Sequence, residues 1–119
     1  MDKVLELTEL DEIVTREKLI DAAACGKTLF YKDLSFEHDS VYMSHLKKVI
    51  KRISLFEREH DRPILCAIVV SDNKSAEPGS GFSEFCIENE IKPDDFKYHQ
   101  DECFKRWGDK DFRNANKEL

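Results

Sequence analysis

The chain has 119 residues, and its 19 basic and 25 acidic side chains give a formal net charge of −6 at pH 7. One domain typically has about 100–200 residues, so this length predicts a single domain with one modest core. No apolar run approaches the ~18 residues of a membrane span, and the acidic residues 1–12 do not resemble a signal peptide. These features argue against a membrane protein or a secretory precursor, and we expect a cytoplasmic protein.

The N-terminal part of the chain predicts two short elements and a turn. Residues 1–14 mix acidic and apolar side chains and fit a short strand or a helical turn. Thr15 is a plausible N-cap and Gly26 a left-handed stop, so residues 16–25 are predicted to form a helix. Residues 28–31 predict a short strand, and residues 32–36 predict a helical turn.

The clearest predicted element is a helix over residues 41–60. Its apolar positions recur every three or four residues, which is the period of an amphipathic helix. These positions are Tyr42, Leu46, Val49, Ile50, Ile53 and Phe56. The Asp-Arg-Pro sequence at residues 61–63 is expected to end this helix.

The C-terminal half predicts a strand, a loop and two helices. Residues 64–70 are continuously apolar and predict a strand buried on both faces. The turn-rich residues 71–81 predict a loop or a wing. A short helix over 82–91 would bury Phe82, Phe85, Cys86 and Ile87. Pro93 is predicted in the first turn of a helix that carries Phe96, either His99 or Gln100, Cys103, Phe104 and Trp107 at helical spacing and ends at Gly108.

Together these elements predict an α+β fold with three to five helices packed on a small sheet of two or three strands. A helix followed by a strand and a turn-rich loop is also the order of elements in a winged helix, which is a candidate subtype. We treat residues 1–119 as one domain and expect flexible ends at residues 1–14 and 109–119.

The four cysteines, Cys25, Cys66, Cys86 and Cys103, are widely spaced and lie among apolar residues. This pattern predicts reduced thiols in the core, and no spacing indicates a metal site. We therefore expect no metal and no cofactor. No sequence motif of a hydrolase or transferase is present, so no catalytic residue is assigned.

The charges are unevenly distributed along the chain. Residues 1–40 carry five basic and ten acidic side chains, whereas residues 41–62 carry six basic and three acidic ones. Three interpretations of the basic helix are open: a solvated outer face, a surface for nucleic acid, or a surface for an acidic protein. The surrounding acidic residues oppose a long polyanion, because phosphate contacts dominate nonspecific affinity for nucleic acid.

One compact motif runs from Arg62 to Phe82. It reads Arg-Pro-Ile-Leu-Cys-Ala-Ile-Val-Val, a polar loop, and Pro-Gly-Ser-Gly-Phe. This motif resembles a box in small uncharacterised bacterial and phage proteins, in which an apolar helix precedes it (here 46–59) and an aromatic helix ending in Trp follows it (here 104–107). The resemblance covers residues 28–107, and because that family has no assigned activity it implies no catalytic residue.

The same motif has two interpretations from its residues alone. Pro78, Gly79, Gly81 and Phe82 can form a structural turn in which the glycines adopt conformations closed to other residues and Phe82 anchors the chain. Alternatively, the glycines let a backbone or a phosphate approach closely. The order of helix, strand and loop also resembles the winged domain of alkylguanine transferases, but their reactive Pro-Cys-His-Arg is absent, so alkyl transfer is not implied.

Three hypotheses for the function follow from these features. The first is a non-enzymatic cytoplasmic protein that inhibits or regulates a macromolecular partner, as immunity proteins, antitoxins and phage inhibitors do. Its acidic face would bind a protein such as a basic nuclease or a nucleic-acid-binding protein, through Asp2, Glu6, Glu9, Asp11 and Glu12. The alternative is a winged-helix-like DNA-binding regulator that uses Lys47, Lys48, Lys51 and Arg52. The third is a small enzyme that uses a Cys or His in a pocket.

Overall fold

The computed structural model describes residues 5–34, 40–71 and 77–118. Within these ranges the chain forms six α-helices, one 3₁₀ helix and two short strands. In chain order they are α1 (Leu10–Ala24), β1 (Leu29–Phe30), α2 (Tyr31–Leu34), α3 (Ser40–Glu59), the 3₁₀ helix (Leu65–Ile68), β2 (Val69–Val70), α4 (Ser80–Glu88), α5 (Phe96–Gly108) and α6 (Lys110–Asn116). The chain is thus mostly helical with a small sheet, as an α+β class requires, although its described part has more helices than predicted.

Helix α1 begins before the predicted start. Its N-cap is Glu9, whose backbone N–H donates to the carboxylate of Glu12 at 3.2 Å, as in a capping box. Thr15 is buried in the middle of the helix, so its prediction as the N-cap is wrong. The helix ends as predicted, because Gly26 has a φ of +68° and the N–H of Lys27 donates to the carbonyl of Ala22 at 2.9 Å.

Helix α3 is confirmed over almost the whole predicted range. Its predicted core positions within the described residues are all buried, and the side chain of Tyr42 lies outside them. The buried positions are Leu46, Val49, Ile50, Ile53 and Phe56. Asp61, with a φ of 56°, reverses the chain so that the N–H of Arg62 donates to the Glu57 carbonyl at 2.9 Å. The helix therefore ends in a Schellman motif just before Pro63.

The apolar segment after α3 is not the strand that its composition predicts. Residues 65–68 form a 3₁₀ helix, and only Val69 and Val70 are extended. Side chains of other helices replace part of a strand's hydrogen bonding. Ser54 Oγ accepts from the N–H of Cys66 at 3.0 Å, and Gln100 Nε2 donates to the carbonyl of Ala67 at 3.0 Å. The predicted burial is confirmed, because residues 64–70 are all buried, but an apolar run alone does not distinguish a strand from a buried helix.

The sheet consists of β1 and β2, which pair in parallel with Leu29 opposite Val69 and Phe30 opposite Val70. Parallel neighbours need a crossover connection, and α3 supplies it. A wing would instead be an antiparallel hairpin after β2. In the described residues that region has one antiparallel bridge, between Val70 and Pro78, and residues 72–76 of the predicted wing lie outside them. The predicted turn at 32–36 is observed as α2, with its last two residues outside the described ranges.

Helices α4 and α5 differ from the prediction in two respects: the side chains that α4 buries and the residue at which α5 begins. Phe82, Phe85 and Cys86 of α4 are buried as predicted, but Ile87 is 78% exposed, so its predicted inward position is wrong. Helix α5 begins after Asp95, whose carboxylate accepts from the N–H of Lys97 at 3.1 Å. Pro93 therefore precedes the helix rather than lying in its first turn. His99, Gln100, Cys103 and Trp107 of α5 are buried.

A buried charged cluster joins the two ends of the chain. Arg16 of α1 and Glu57 of α3 are almost completely buried, with 2.5 Å between Nε and Oε1, and Arg62 Nε donates to the other oxygen of Glu57 at 2.5 Å. The terminal nitrogens of Arg16 donate to the carbonyls of Asn116 and Lys117 at 2.8 and 2.5 Å. A cation at the C-terminal end of a helix is favourable, so this Arg16 cluster fixes α6, a helix that the sequence did not predict.

Candidate binding surfaces

The acidic N-terminal segment lies against the basic helix α3. Arg52 forms an ion pair with Glu12 and donates to the backbone carbonyl of Glu6 at 3.3 Å. Asp11 Oδ2 is 3.0 Å from His45 Nε2. Because Glu12 is buried, the predicted acidic face does not include it, and Asp2 lies outside the described residues. The two surfaces predicted to bind separate partners therefore partly neutralise each other.

The four cations proposed for nucleic acid are divided between two environments. Lys51 lies between two carboxylates of α4, with Nζ at 3.3 Å from Glu84 and 3.8 Å from Glu88. With Arg52 paired to Glu12, two of the four predicted cations have acidic partners. Lys47 and Lys48 are exposed, and neither forms an ion pair with a residue that the structure describes. The surface open to a polyanion on α3 is therefore narrower than the sequence suggests.

The glycine turn before α4 does not use a conformation reserved for glycine. Gly79 has a φ of −71° and a ψ of −177°, which any residue adopts, and Gly81 is not in the left-handed region either. The prediction that these glycines need special backbone angles is therefore wrong. Phe82 is buried, as expected of an anchor. A β-carbon built on Gly79 would lie 3.5 Å from the Tyr31 hydroxyl, an ordinary contact distance.

A small cavity of about 140 Å³ opens beside this turn, lined by Tyr31, Lys47, Lys51 and Cys66 among others. Burial raises the pKa of the Tyr31 phenol, and the Cys66 thiol and the Glu84 carboxylate raise it further. Burial also raises the pKa of the Cys66 thiol to about 12. A thiol needs its thiolate form to act as a nucleophile, so Cys66 is in a poor state for nucleophilic chemistry at neutral pH.

The other cysteines divide by burial. Cys86 and Cys103 are buried, and burial is the main cause that raises the pKa of each thiol. Cys25 is exposed, so its predicted place in the core is wrong. Among the described residues, no group of three or more His, Cys, Asp or Glu side chains is positioned to hold a metal ion. No helix in the same part of the chain is both long and apolar enough to cross a membrane.

The outer surface of α4 carries an exposed apolar side chain among carboxylates, and we call it the α4 face. It consists of Glu84, Ile87, Glu88, Glu90 and Asp94. The side chains of Glu84, Glu88 and Asp94 are 57%, 60% and 70% exposed. Asp94 follows the helix in sequence, and its carboxylate contributes to raising the pKa of the Cys86 thiol after the larger effect of burial. Sequence reasoning missed this face because it placed Ile87 in the core.

Comparison of the chain with protein-family models, with curated proteins and with solved structures finds no significant match. The resemblances to the uncharacterised bacterial and phage family and to the winged domain of alkylguanine transferases therefore stay predictions.

Proposed function

We propose that the chain is a non-enzymatic binding protein that inhibits or regulates a macromolecular partner with a basic surface. The observation that carries this proposal is the α4 face, where Ile87 is 78% exposed and four exposed carboxylates lie on the same helix or in the loop that follows. A basic nuclease or another nucleic-acid-binding protein has a positively charged surface, which is complementary to these carboxylates. The proposed class is that of immunity proteins, antitoxins and phage inhibitors.

Two physical effects support binding at this face. An exposed apolar side chain gains free energy when a partner removes it from water, so Ile87 would be the anchor of the interface. Carboxylates around the anchor speed encounter with a cationic partner and exclude anionic ones. Lys51 offsets part of the charge of Glu84 and Glu88, and Lys92 offsets part of that of Asp94, whereas Glu90 is exposed and forms no ion pair with a described residue.

The N-terminal acidic residues contribute less to this proposal than the sequence suggested. Glu6 and Glu9 are exposed but lie outside the α4 face, and we do not assign them to the interface. Asp11 and Glu12 already contact His45 and Arg52, so their charge is partly used within the chain.

A capture experiment with two matched variants tests the proposal. Leu10 of α1 is 72% exposed, which makes Leu10→Asp a control for Ile87→Asp. Tagged wild type and the two variants are incubated with extract of the native cell, and retained proteins are identified by mass spectrometry. We expect a basic protein that wild type and Leu10→Asp retain and Ile87→Asp loses. A partner retained equally by all three, or a partner without a basic surface, contradicts the proposal.

The alternative function is a DNA-binding regulator of winged-helix-like layout. The observation in its favour is that Lys47 and Lys48 are exposed on α3 without an ion pair in the described residues. Electrophoretic mobility shift at two salt concentrations distinguishes the two functions, because phosphate contacts make DNA binding strongly salt-dependent. Salt-sensitive binding that is lost in Lys47→Glu/Lys48→Glu favours the regulator. The absence of binding even at low salt excludes it.

We further propose that the protein acts in the cytoplasm. The four cysteines are unpaired, and free thiols are typical of a reducing compartment. Fractionation of the native cell followed by detection of the protein with an antibody tests this location. Recovery in a periplasmic or secreted fraction would contradict it.

A further inference from the structure

A cationic groove lies where the C-terminal turn of α3 meets α5 and the residues that precede α5. It has a volume of about 220 Å³, and four cations reach it from three separate segments of the chain. These are Arg58, Arg62, Lys92 and Arg106. Two carboxylates also line it, those of Asp61 and Glu102, so cations exceed anions by two in a chain whose net charge is −6.

Arg62 lies deepest among these cations. Its side chain is only 9% exposed, and its Nε donates to Glu57 at 2.5 Å. That is the only side-chain hydrogen bond of Arg62 within the described residues, so the two terminal nitrogens of the guanidinium have no protein acceptor there. Neither nitrogen is a buried donor without a partner, so both are open to solvent. Because Arg62 lines the groove, an acceptor that enters the groove can reach them.

The other cations of the groove are only weakly engaged within the protein. Arg58 is exposed and forms no ion pair with a described residue. Arg106 lies over the ring of Phe112, with 4.7 Å between the guanidinium carbon and the ring centre. Lys92 Nζ is 4.0 Å from Asp94 Oδ2, a long contact between two highly exposed side chains. Each of these cations can turn towards a bound anion without breaking a buried contact.

We propose that this groove binds the phosphate group of a small phosphate-bearing ligand. Arginine presents a planar fork of donors that matches phosphate oxygens, and three arginines line the groove. A multiply charged group is favoured over a single carboxylate, because the groove has two cations in excess. A small ligand is favoured over a nucleic acid, because the acidic surface of the whole chain repels a polyanion that extends beyond the groove. The groove shares no lining residue with the α4 face, although its Lys92 contacts Asp94 of that face, and the proposal does not depend on the proposed function.

Titration with inorganic pyrophosphate tests the site directly. Isothermal titration calorimetry measures the dissociation constant, and the fluorescence of Trp107, the single tryptophan and the neighbour of Arg106, gives a second readout. The test variant is Arg58→Gln/Arg106→Gln, which spares the buried Arg62 so that the fold is kept. The matched control is Lys47→Gln/Lys48→Gln, which removes the same charge at two exposed positions of α3 that do not line the groove.

We expect one pyrophosphate to bind per chain, with the affinity of the arginine variant reduced about tenfold or more and that of the lysine control changed less than about twofold. Ile87→Asp should bind pyrophosphate as wild type does, which separates this site from the partner surface. The proposal is overturned if pyrophosphate gives no saturable signal up to about 10 mM, an affinity too weak for a specific site. Equal losses in the two double variants overturn it as well. Tighter, arginine-dependent binding of a single-stranded oligonucleotide would assign the groove to nucleic acid instead.

Discussion

Replacing Arg16 by Met breaks the buried cluster that joins the ends of the chain. The change keeps an apolar stem of similar length and removes the guanidinium. Glu57 loses the partner at 2.5 Å from its Oε1, and the carbonyls of Asn116 and Lys117 lose donors at 2.8 and 2.5 Å. Removing one partner from a buried ion pair costs about 3–5 kcal/mol. Since Glu57 keeps Arg62, we expect the lower end, about 3 kcal/mol.

Urea unfolding measures this loss by far-ultraviolet circular dichroism and by the fluorescence of Trp107. A domain of this size is stable by about 5–15 kcal/mol, so the variant should stay folded in water and unfold at a lower urea concentration. Lys51→Met is the control, because the pair of Lys51 with Glu84 is partly exposed and should contribute less than about 1 kcal/mol. A loss below about 1 kcal/mol for Arg16→Met, or one no larger than that of the control, would refute the assignment of the cluster as a main link between α1, α3 and α6.

Three further predictions concern backbone conformation and the thiols. Glu90 has a φ of 53°, so Glu90→Gly should raise the free energy of unfolding by up to about 1 kcal/mol. Gly26 has a φ of 68°, so Gly26→Ala should lower the free energy of unfolding by about 1 kcal/mol or more. Urea unfolding that shows the opposite signs would contradict the left-handed conformation of these two residues. A thiol reagent should label Cys25 at once in the native protein and the three buried thiols only on unfolding, with native labelling of more than one thiol as the contrary result. Burial raises the pKa of the Cys66 thiol in the folded protein from 9.0 to about 12. The contribution of the neutral thiol to the free energy of unfolding is therefore complete below pH 9 and is lost as the pH rises from 9 towards 12. Urea unfolding should show a decline over this range that is shallower in Cys66→Ala, and equal slopes would contradict the burial of the thiol.

The sequence predicts best where one local rule decides the structure. Helix α3 has a clean period of apolar residues, and its core positions follow from that period alone. The left-handed turn at Gly26 follows from the lack of a β-carbon. The predicted turn at Gly79 is different, because an ordinary extended conformation serves there, and the residues that do adopt positive φ after α3 and α4 are Asp61 and Glu90.

The prediction is incomplete wherever distant residues decide the structure. Residues 64–70 looked like a strand because their composition is apolar, but the partners of their backbone groups, such as Ser54 and Gln100, come from α3 and α5. Helix α6 has a polar sequence, and the side chain that anchors it belongs to Arg16, about a hundred residues earlier.

The charges show the same limit for the candidate surfaces. By segment, the acidic N-terminal residues and the basic helix looked like two separate faces, but the contacts of Glu12 with Arg52 and of Asp11 with His45 show that they meet. The α4 face depends on the rotation of a short helix. A shift of one position decides whether Ile87 lies in the core or at the surface.

The association rate with the captured partner tests most directly whether the protein binds a basic surface through the α4 face. Rates are measured by surface plasmon resonance at low and high salt for wild type, Glu90→Lys and Glu6→Lys, which make the same charge change at two exposed sites. Because charge complementarity acts mainly on encounter, Glu90→Lys should slow association severalfold at low salt, and the effect should shrink as salt is added. Glu6→Lys should have a much smaller effect. An association rate that Glu90→Lys leaves unchanged, or that Glu6→Lys lowers more, would contradict the account.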